Sequence, residues 1–203
     1  TVRPNVAVTR IGGADRFETS RLLAQAAGAS ANVYIVTGRD FPDALSAAAP
    51  AGQQNRPIIL VDGSQPTLDA ATVTLLQSQH VTSAALVGGP AVVSAGIATQ
   101  LASLRIAVTR FGGADRYATN AAVIAGAYGS SNPSVYLATA MDSPDALTGS
   151  TLAAVNGAPL LLTRPTCLSS TAADFLKNEG GVAVTLLGGT GALSDAVAKL
   201  ARC

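Results

Sequence analysis

The chain has 203 residues, 48% of them hydrophobic and 12% charged, too apolar for a disordered chain and long enough for one large domain or two small ones. Thirteen Lys plus Arg face twelve Asp plus Glu, a formal net charge of +1. No overall field therefore draws the chain to nucleic acid or to an anionic bilayer, and any anion it binds has to be met by a local cluster.

In chain order, β-branched apolar runs alternate with Ala- and Leu-rich stretches at helical spacing. Residues 6–11, 33–37, 58–61 and 84–87 predict strands, and residues 17–27, 42–52, 66–79 and 94–103 predict helices. Strands that read as continuous apolar runs and alternate with helices imply βαβ units and a parallel sheet covered on both faces. The longest apolar stretch, residues 83–97, is broken by Gly88, Gly89, Pro90 and Gly96. It falls short of the roughly 18 unbroken apolar residues of a membrane span, so no transmembrane segment is expected. No Met begins the chain and no basic segment followed by an apolar one precedes Thr1, which reads as a processed or excised form.

The pattern then repeats. Arg-Ile-Gly-Gly-Ala-Asp-Arg-Phe at 10–17 returns as Arg-Phe-Gly-Gly-Ala-Asp-Arg-Tyr at 110–117, an offset of 100. Pro-Asp-Ala-Leu at 42–45 returns at 144–147, and Pro-Ile-Ile-Leu at 57–60 returns as Pro-Leu-Leu-Leu at 159–162, both offset by 102. Leu-Val-Gly-Gly at 86–89 returns as Leu-Leu-Gly-Gly at 186–189, offset by 100 again. Residues 1–103 and 104–203 are therefore read as two copies of one unit, each a small Rossmann-like α/β sandwich of about four strands. Residues 104–107 run from the last helix of one copy straight into the first strand of the next, so the copies are expected to pack together without a tether.

Each Gly-Gly-Ala-Asp-Arg segment sits at a strand end and opens a helix. The glycines let the chain turn tightly and let backbone N–H groups approach an anion, and Arg10, Arg16, Arg110 and Arg116 suit forked hydrogen bonding to it. An equally simple reading makes Asp15 and Asp115 helix caps and pairs each arginine with a neighbour. Asp43 and Asp145, following Pro42 and Pro144 at a helix start, favour the positive helix end, or bind a ligand hydroxyl or cation beyond the carboxyl ends of the strands. Gly38 and Arg39 align with Ala140 and Met141, which makes the first copy's loop the more basic.

Catalytic signatures are thin. His80 is the single histidine and has no counterpart in the second copy; no nucleophile elbow, metalloprotease helix or paired Cys-x-x-Cys occurs. Asp15, Asp40 and Asp43 are the residues that would hold a magnesium ion, although acids at helix starts usually cap. Cys167 and Cys203 align with Gln65 and Ser103 and belong to no repeated site. A bond between them would close a loop, yet Cys167 precedes a helix on the carboxyl edge of the sheet. Cys203 should end a helix on the opposite edge, about 15 Å away at 1.5 Å per residue. A disulfide therefore requires the C-terminal tail to turn back.

These four ordered motifs, each present twice and covering nearly the whole chain, resemble the cell wall binding repeat type 2 family. The resemblance implies Rossmann- or Toprim-like modules that commonly pack in threes. It also implies a secreted, wall-associated protein of a Gram-positive bacterium, held non-covalently by an anionic secondary wall polymer and needing no cofactor or catalytic residue. Carried over by motif, the polymer-facing residues are Arg10, Asp15, Arg16, Thr19 and Asp43 with Arg110, Asp115, Arg116, Thr119 and Asp145, and Arg39 adds charge to the first copy. Two departures stand out: only two modules are present, which implies self-association or a missing third module, and Glu18 becomes Ala118 in the second copy. Two other functional classes suit the same loops, a small metal- or nucleotide-dependent phosphotransfer enzyme and a purely structural assembly unit.

Overall fold

The computed structural model describes residues 6–129 and 132–203. The first copy supplies helices α1 (Arg16–Ala26), α2 (Pro42–Gln53), α3 (Ala70–Ser78) and α4 (Ala95–Ser103) and strands β1 (Asn32–Thr37), β2 (Ile58–Val61) and β3 (Ser83–Val87). The second supplies β4 (Ala107–Phe111), α5 (Arg116–Ala127), β5 (Ser134–Thr139), α6 (Pro144–Val155), β6 (Leu160–Thr163), α7 (Ser170–Glu179), β7 (Ala183–Leu186) and α8 (Asp195–Ala198). Two parallel sheets result, ordered β2-β1-β3-β4 and β6-β5-β7. Among the described residues no helix is long and apolar enough to cross a membrane.

The sheets do not divide where the sequence copies divide. β4 opens the second copy, yet it lies along β3 of the first, with Ala107 opposite Ser83 and Phe111 opposite Val87. Its first-copy counterpart, residues 6–11, was expected to be a strand and is not one. The physical reason is the absence of a partner. The edge of β3 is filled by β4, and an extended segment with no neighbour to take its N–H and C=O groups forms no ladder. Val8 is accordingly 87% exposed, whereas Val108 packs against the core of the first sheet.

That core runs under one face of the first sheet and is built from Ile35, Ile59, Leu76, Leu86, Ile97 and Leu101. Its equivalent in the second copy gathers Ile124, Leu137, Leu161, Leu168 and Leu193. Between the two sheets lies α2, whose Ala47 and Ala51 pack with Tyr34, Val36 and Val123 while Leu45 and Ala49 join Tyr117, Tyr136 and Ala153. A helix buried on two sides must be thin, which explains its alanine content; a Cβ added to Gly52 would fall 2.9 Å from the Cβ of Ala154. α2 and the strand exchange together hold the copies in contact, as the short link between them implied.

Cys167 and Cys203 are bonded, with Cα atoms 5.1 Å apart. The opposite-edge expectation fails because α8 stops after four residues instead of running on to Cys203. Leu200 then takes a left-handed φ of 54° and reverses the chain. The tail runs back beside Leu168, whose N–H donates to Ala201 O while Cys203 N–H donates to Leu168 O. Arg202 completes the anchor by pairing with Asp174 at 2.8 Å. With a sequence separation of 36, the chain-entropy model assigns the crosslink about 4 kcal/mol. Replacing both cysteines by Ser, or reducing the bond, should lower the melting temperature on the order of 10 °C in calorimetry, given 2–4 °C per kcal/mol at this size.

Candidate functional site

Each Gly-Gly-Ala-Asp-Arg loop is locked from within. Asp15 accepts from Glu18 N–H and Asp115 from Ala118 N–H, each at 2.8 Å, so both aspartates are helix caps. Thr19 Oγ1 accepts from Gly13 N–H at 3.0 Å and donates to Asp15 O at 2.8 Å. Thr119 Oγ1 likewise accepts from Gly113 N–H at 3.1 Å. The threonines therefore hold the loop's shape. Arg16 Nη1 donates to Gly38 O, and Arg116 Nη1 donates to the equivalent Ala140 O, both at 2.8 Å. These arginines fasten the loop to the sheet edge of their own copy and retain further N–H groups on the guanidinium.

Strand exchange then makes the two loops unlike. Because β4 completes the first sheet, the second copy's loop is delivered onto the carboxyl edge of that sheet. There Gly113, Ala114, Asp115 and Arg116 face Asp40 and Asp43 across a cleft of about 380 Å³, floored in part by Gly89. Gly88 turns away from β3 with φ of 119°, and a Cβ on it would fall 2.7 Å from Asp43 Oδ2, so only glycine fits both the turn and the approach. Arg116 Nη2 lies 4.0 Å from Asp40 Oδ2, a loose and partly exposed pair. The cleft is thus a composite of both sequence copies. The first copy's own loop, residues 12–16, is exposed, and the second copy's Asp142 and Asp145 line a separate hollow to which no Gly-Gly-Ala-Asp-Arg loop contributes.

Two features of the cleft are chemically open. Asp43 is 8% exposed and accepts no hydrogen bond from any side chain or backbone N–H among the described residues beyond its own helix. Burial raises its pKa above the usual carboxylate value, the nearby Asp40 adds to the rise, and Arg116 opposes it. The second feature is Ala114 N–H. In the first copy the matching Ala14 N–H is taken by Glu18 Oε2, the inward arm of a capping arrangement. With Ala118 in place of Glu18, Ala114 N–H has no side-chain partner among the described residues and borders the cleft.

The remaining candidates separate. Arg110 does not face the cleft: its Nη1 donates to Gly88 O and Val93 O at 2.8 Å each and its Nη2 to Ser94 O at 3.2 Å, clamping β4 to the loop after β3. Partial burial lowers its pKa. Arg10 is exposed and makes no hydrogen bond or ion pair among the described residues. Arg39 lies on the other side of its loop, 3.4 Å from Asp62. Asp15, Asp40 and Asp43 do not assemble, and the described residues contain no group of three His, Cys, Asp or Glu side chains placed to hold a metal. Motif reading assigned backbone N–H groups of the Gly-Gly-Ala-Asp-Arg loops to an anion but did not single out Ala114 N–H or place Gly89 beside it, because the cleft forms between copies. The exchange of Glu18 for Ala118 was the one available clue.

Fold and cleft together define a tandem-module α/β protein with a cleft at the seam of its modules. The sequence profile of cell wall binding domain 2 (CWB2) matches residues 10–98 and again 110–198, and the chain belongs to that family. It is 33% identical over 193 residues to the N-acetylmuramoyl-L-alanine amidase LytC of Bacillus subtilis (strain 168), an alignment covering 94% of this chain and 38% of the relative. Among solved structures it is similar to Cwp6 from Clostridium difficile, with TM-score 0.84 and 30% identity over 98% of this chain and 33% of that one. Cwp8 from the same organism gives TM-score 0.78 and 30% identity over 95% of this chain and 33% of that one. The chain thus spans well under half the length of these relatives. The family is one of binding modules, which accords with the expectation of a non-catalytic protein.

The raised pKa of Asp43 carries a stability signature. Its folded form holds a proton to higher pH than the unfolded carboxyl at 3.8, so stability falls as pH rises from there through the folded value. Asp43→Asn removes the buried charge. Its melting temperature should exceed the parent's at neutral pH and converge on it below about pH 3.8, as read by thermal denaturation across a pH series.

Proposed function

We propose that the chain attaches a protein to a bacterial cell wall by gripping an anionic secondary wall polymer in the seam cleft, without catalysing any reaction on it. Membership of the CWB2 family supports wall attachment, and the observation that carries the polymer chemistry is the pairing of Arg116 and Ala114 N–H with Asp43 across one cleft. Arg116 and the N–H groups at the start of α5 suit a phosphate or carboxylate, to which the helix end adds its partial positive charge. Asp43 and Asp40 suit the sugar hydroxyls beside that acidic group. A repeat unit bearing both is what such a cleft discriminates, because a bare anion would meet the carboxylates and a neutral sugar would leave the arginine unanswered. Wall association and secretion from a Gram-positive cell follow from this reading.

Recognition by charge and backbone donors also fits the composition, since the chain has no Trp and only 4% aromatic residues on which sugar rings could stack. The phosphotransfer alternative gains no support from the site, where the acids are caps or cleft walls and, among the described residues, no set of them is placed to hold a metal.

The test is co-sedimentation with purified walls before and after extraction of their anionic polymers. Binding should fall on extraction and weaken with salt. Arg116→Ala should lower affinity about tenfold or more, the scale of a lost charge-assisted hydrogen bond, while Arg16→Ala, outside the cleft, should have a much smaller effect. Unchanged binding to extracted walls would overturn the proposal.

A further inference from the structure

The strand exchange leaves both of its ends unmatched. β7 is an edge of the second sheet, and it occupies in that sheet the place that β3 occupies in the first. Ala84 and Leu86 of β3, an inner strand flanked by β1 and β4, are buried, whereas the corresponding Val184 and Leu186 of the edge strand β7 are only half covered. The segment that would flank β7 by repeat is residues 7–11, Ala-Val-Thr-Arg-Ile, which matches Ala-Val-Thr-Arg-Phe at 107–111 in four of five positions and pairs with no strand among the described residues. An exposed edge beside an unpaired strand-forming segment is the arrangement that strand addition exploits.

The arginine clamp repeats as well. Arg110 holds β4 through the carbonyls of Gly88, Val93 and Ser94. An offset of 100 places Gly188, Leu193 and Ser194 at the same positions beside β7, and Gly188 keeps the same turn with φ of 105°. Among the described residues no side chain donates to those three carbonyls, and Arg10, the repeat counterpart of Arg110, makes no hydrogen bond or ion pair there. Apolar surface follows the same rule. Leu45 and Val123 are 3% and 0% exposed at the seam, while their counterparts Leu147 and Leu23 are 58% and 51% exposed. Leu23 lies beside a hollow of about 740 Å³ between α1, α2 and α6, continuous with the existing contact between modules.

We infer that the outer edge of β7 is a strand-acceptor site, and that its occupant is residues 7–11 of a second copy of this chain. Val8 then lies beside β7 as Val108 lies beside β3, Arg10 grips the carbonyls of Gly188, Leu193 and Ser194, and the Gly-Gly-Ala-Asp-Arg loop at 12–16 is carried toward Asp142 and Asp145. The contact joins unlike surfaces head to tail, so its products are a closed ring, the reciprocal pair of two copies included, or a growing chain.

Light scattering and sedimentation of the 203-residue chain test this with no wall polymer present, so the outcome is independent of the wall-binding reading. Mass should rise above the monomer between micromolar and near-millimolar protein. A synthetic peptide spanning residues 6–16 should reverse the rise. Arg10→Ala should weaken association at least about tenfold, the scale of lost charge-assisted hydrogen bonds, without lowering the melting temperature. Lys177→Ala, which removes one exposed positive charge elsewhere, should associate as the parent does. A monomer at every concentration, or association that neither the peptide nor Arg10→Ala disturbs, would overturn the inference.

Discussion

One ladder organises this protein, the parallel pairing of β4 with β3 across the boundary between sequence copies. Without it the first sheet would end at β3, and Arg110 would have no carbonyls to clamp. The loop at residues 112–116 would not stand over Asp40 and Asp43. The site is therefore a property of the junction, and neither copy contains it alone. A ladder of this kind is directional: the first copy receives β4 on the edge of β3 and the second offers it, while among the described residues 6–11 and the outer edge of β7 have no partner.

The seam also sets the demands on composition. α2 lies between two sheets and cannot carry bulk on either flank, so alanine and Gly52 appear where an ordinary surface helix would show a polar face. Leucine and valine return inside the contact, in Leu45 and Val123, which are buried in the two seam clusters. Close packing of small side chains gains stability from dispersion spread over many weak contacts, and it tolerates added volume poorly. The disulfide answers a local problem: α8 has only four residues, and the crosslink with the Arg202–Asp174 pair secures the tail that a longer helix would otherwise have held.

Within the cleft, equivalent residues do different work according to what the neighbouring copy brings. Asp15 and Asp115 are the same cap, but only Asp115 borders a cleft. Thr19 and Thr119 make the same loop bond, but Thr119 is buried at the seam and Thr19 is not. Glu18 satisfies a backbone donor where no neighbour comes, and Ala118 leaves that donor open where one does. Repetition of a motif accordingly does not mean repetition of a site.

The amino-acid sequence by itself determined the α/β class, the doubled architecture, most helix and strand positions, and the loops from which a site would be built. These follow from hydrophobic periodicity, glycine at turns and spaced self-similarity, which are local or one-dimensional signals. Tertiary structure alone decided which strand belongs to which sheet, and hence that residues 6–11 stay unpaired while residues 107–111 form β4. It also set Arg110 to clamping and Arg116 to the cleft, and it brought Cys203 back to Cys167. The reason is that two segments of nearly identical sequence have identical local preferences. What separates their fates is the presence of a neighbouring edge to receive one of them, and that is a fact about packing which no single segment encodes.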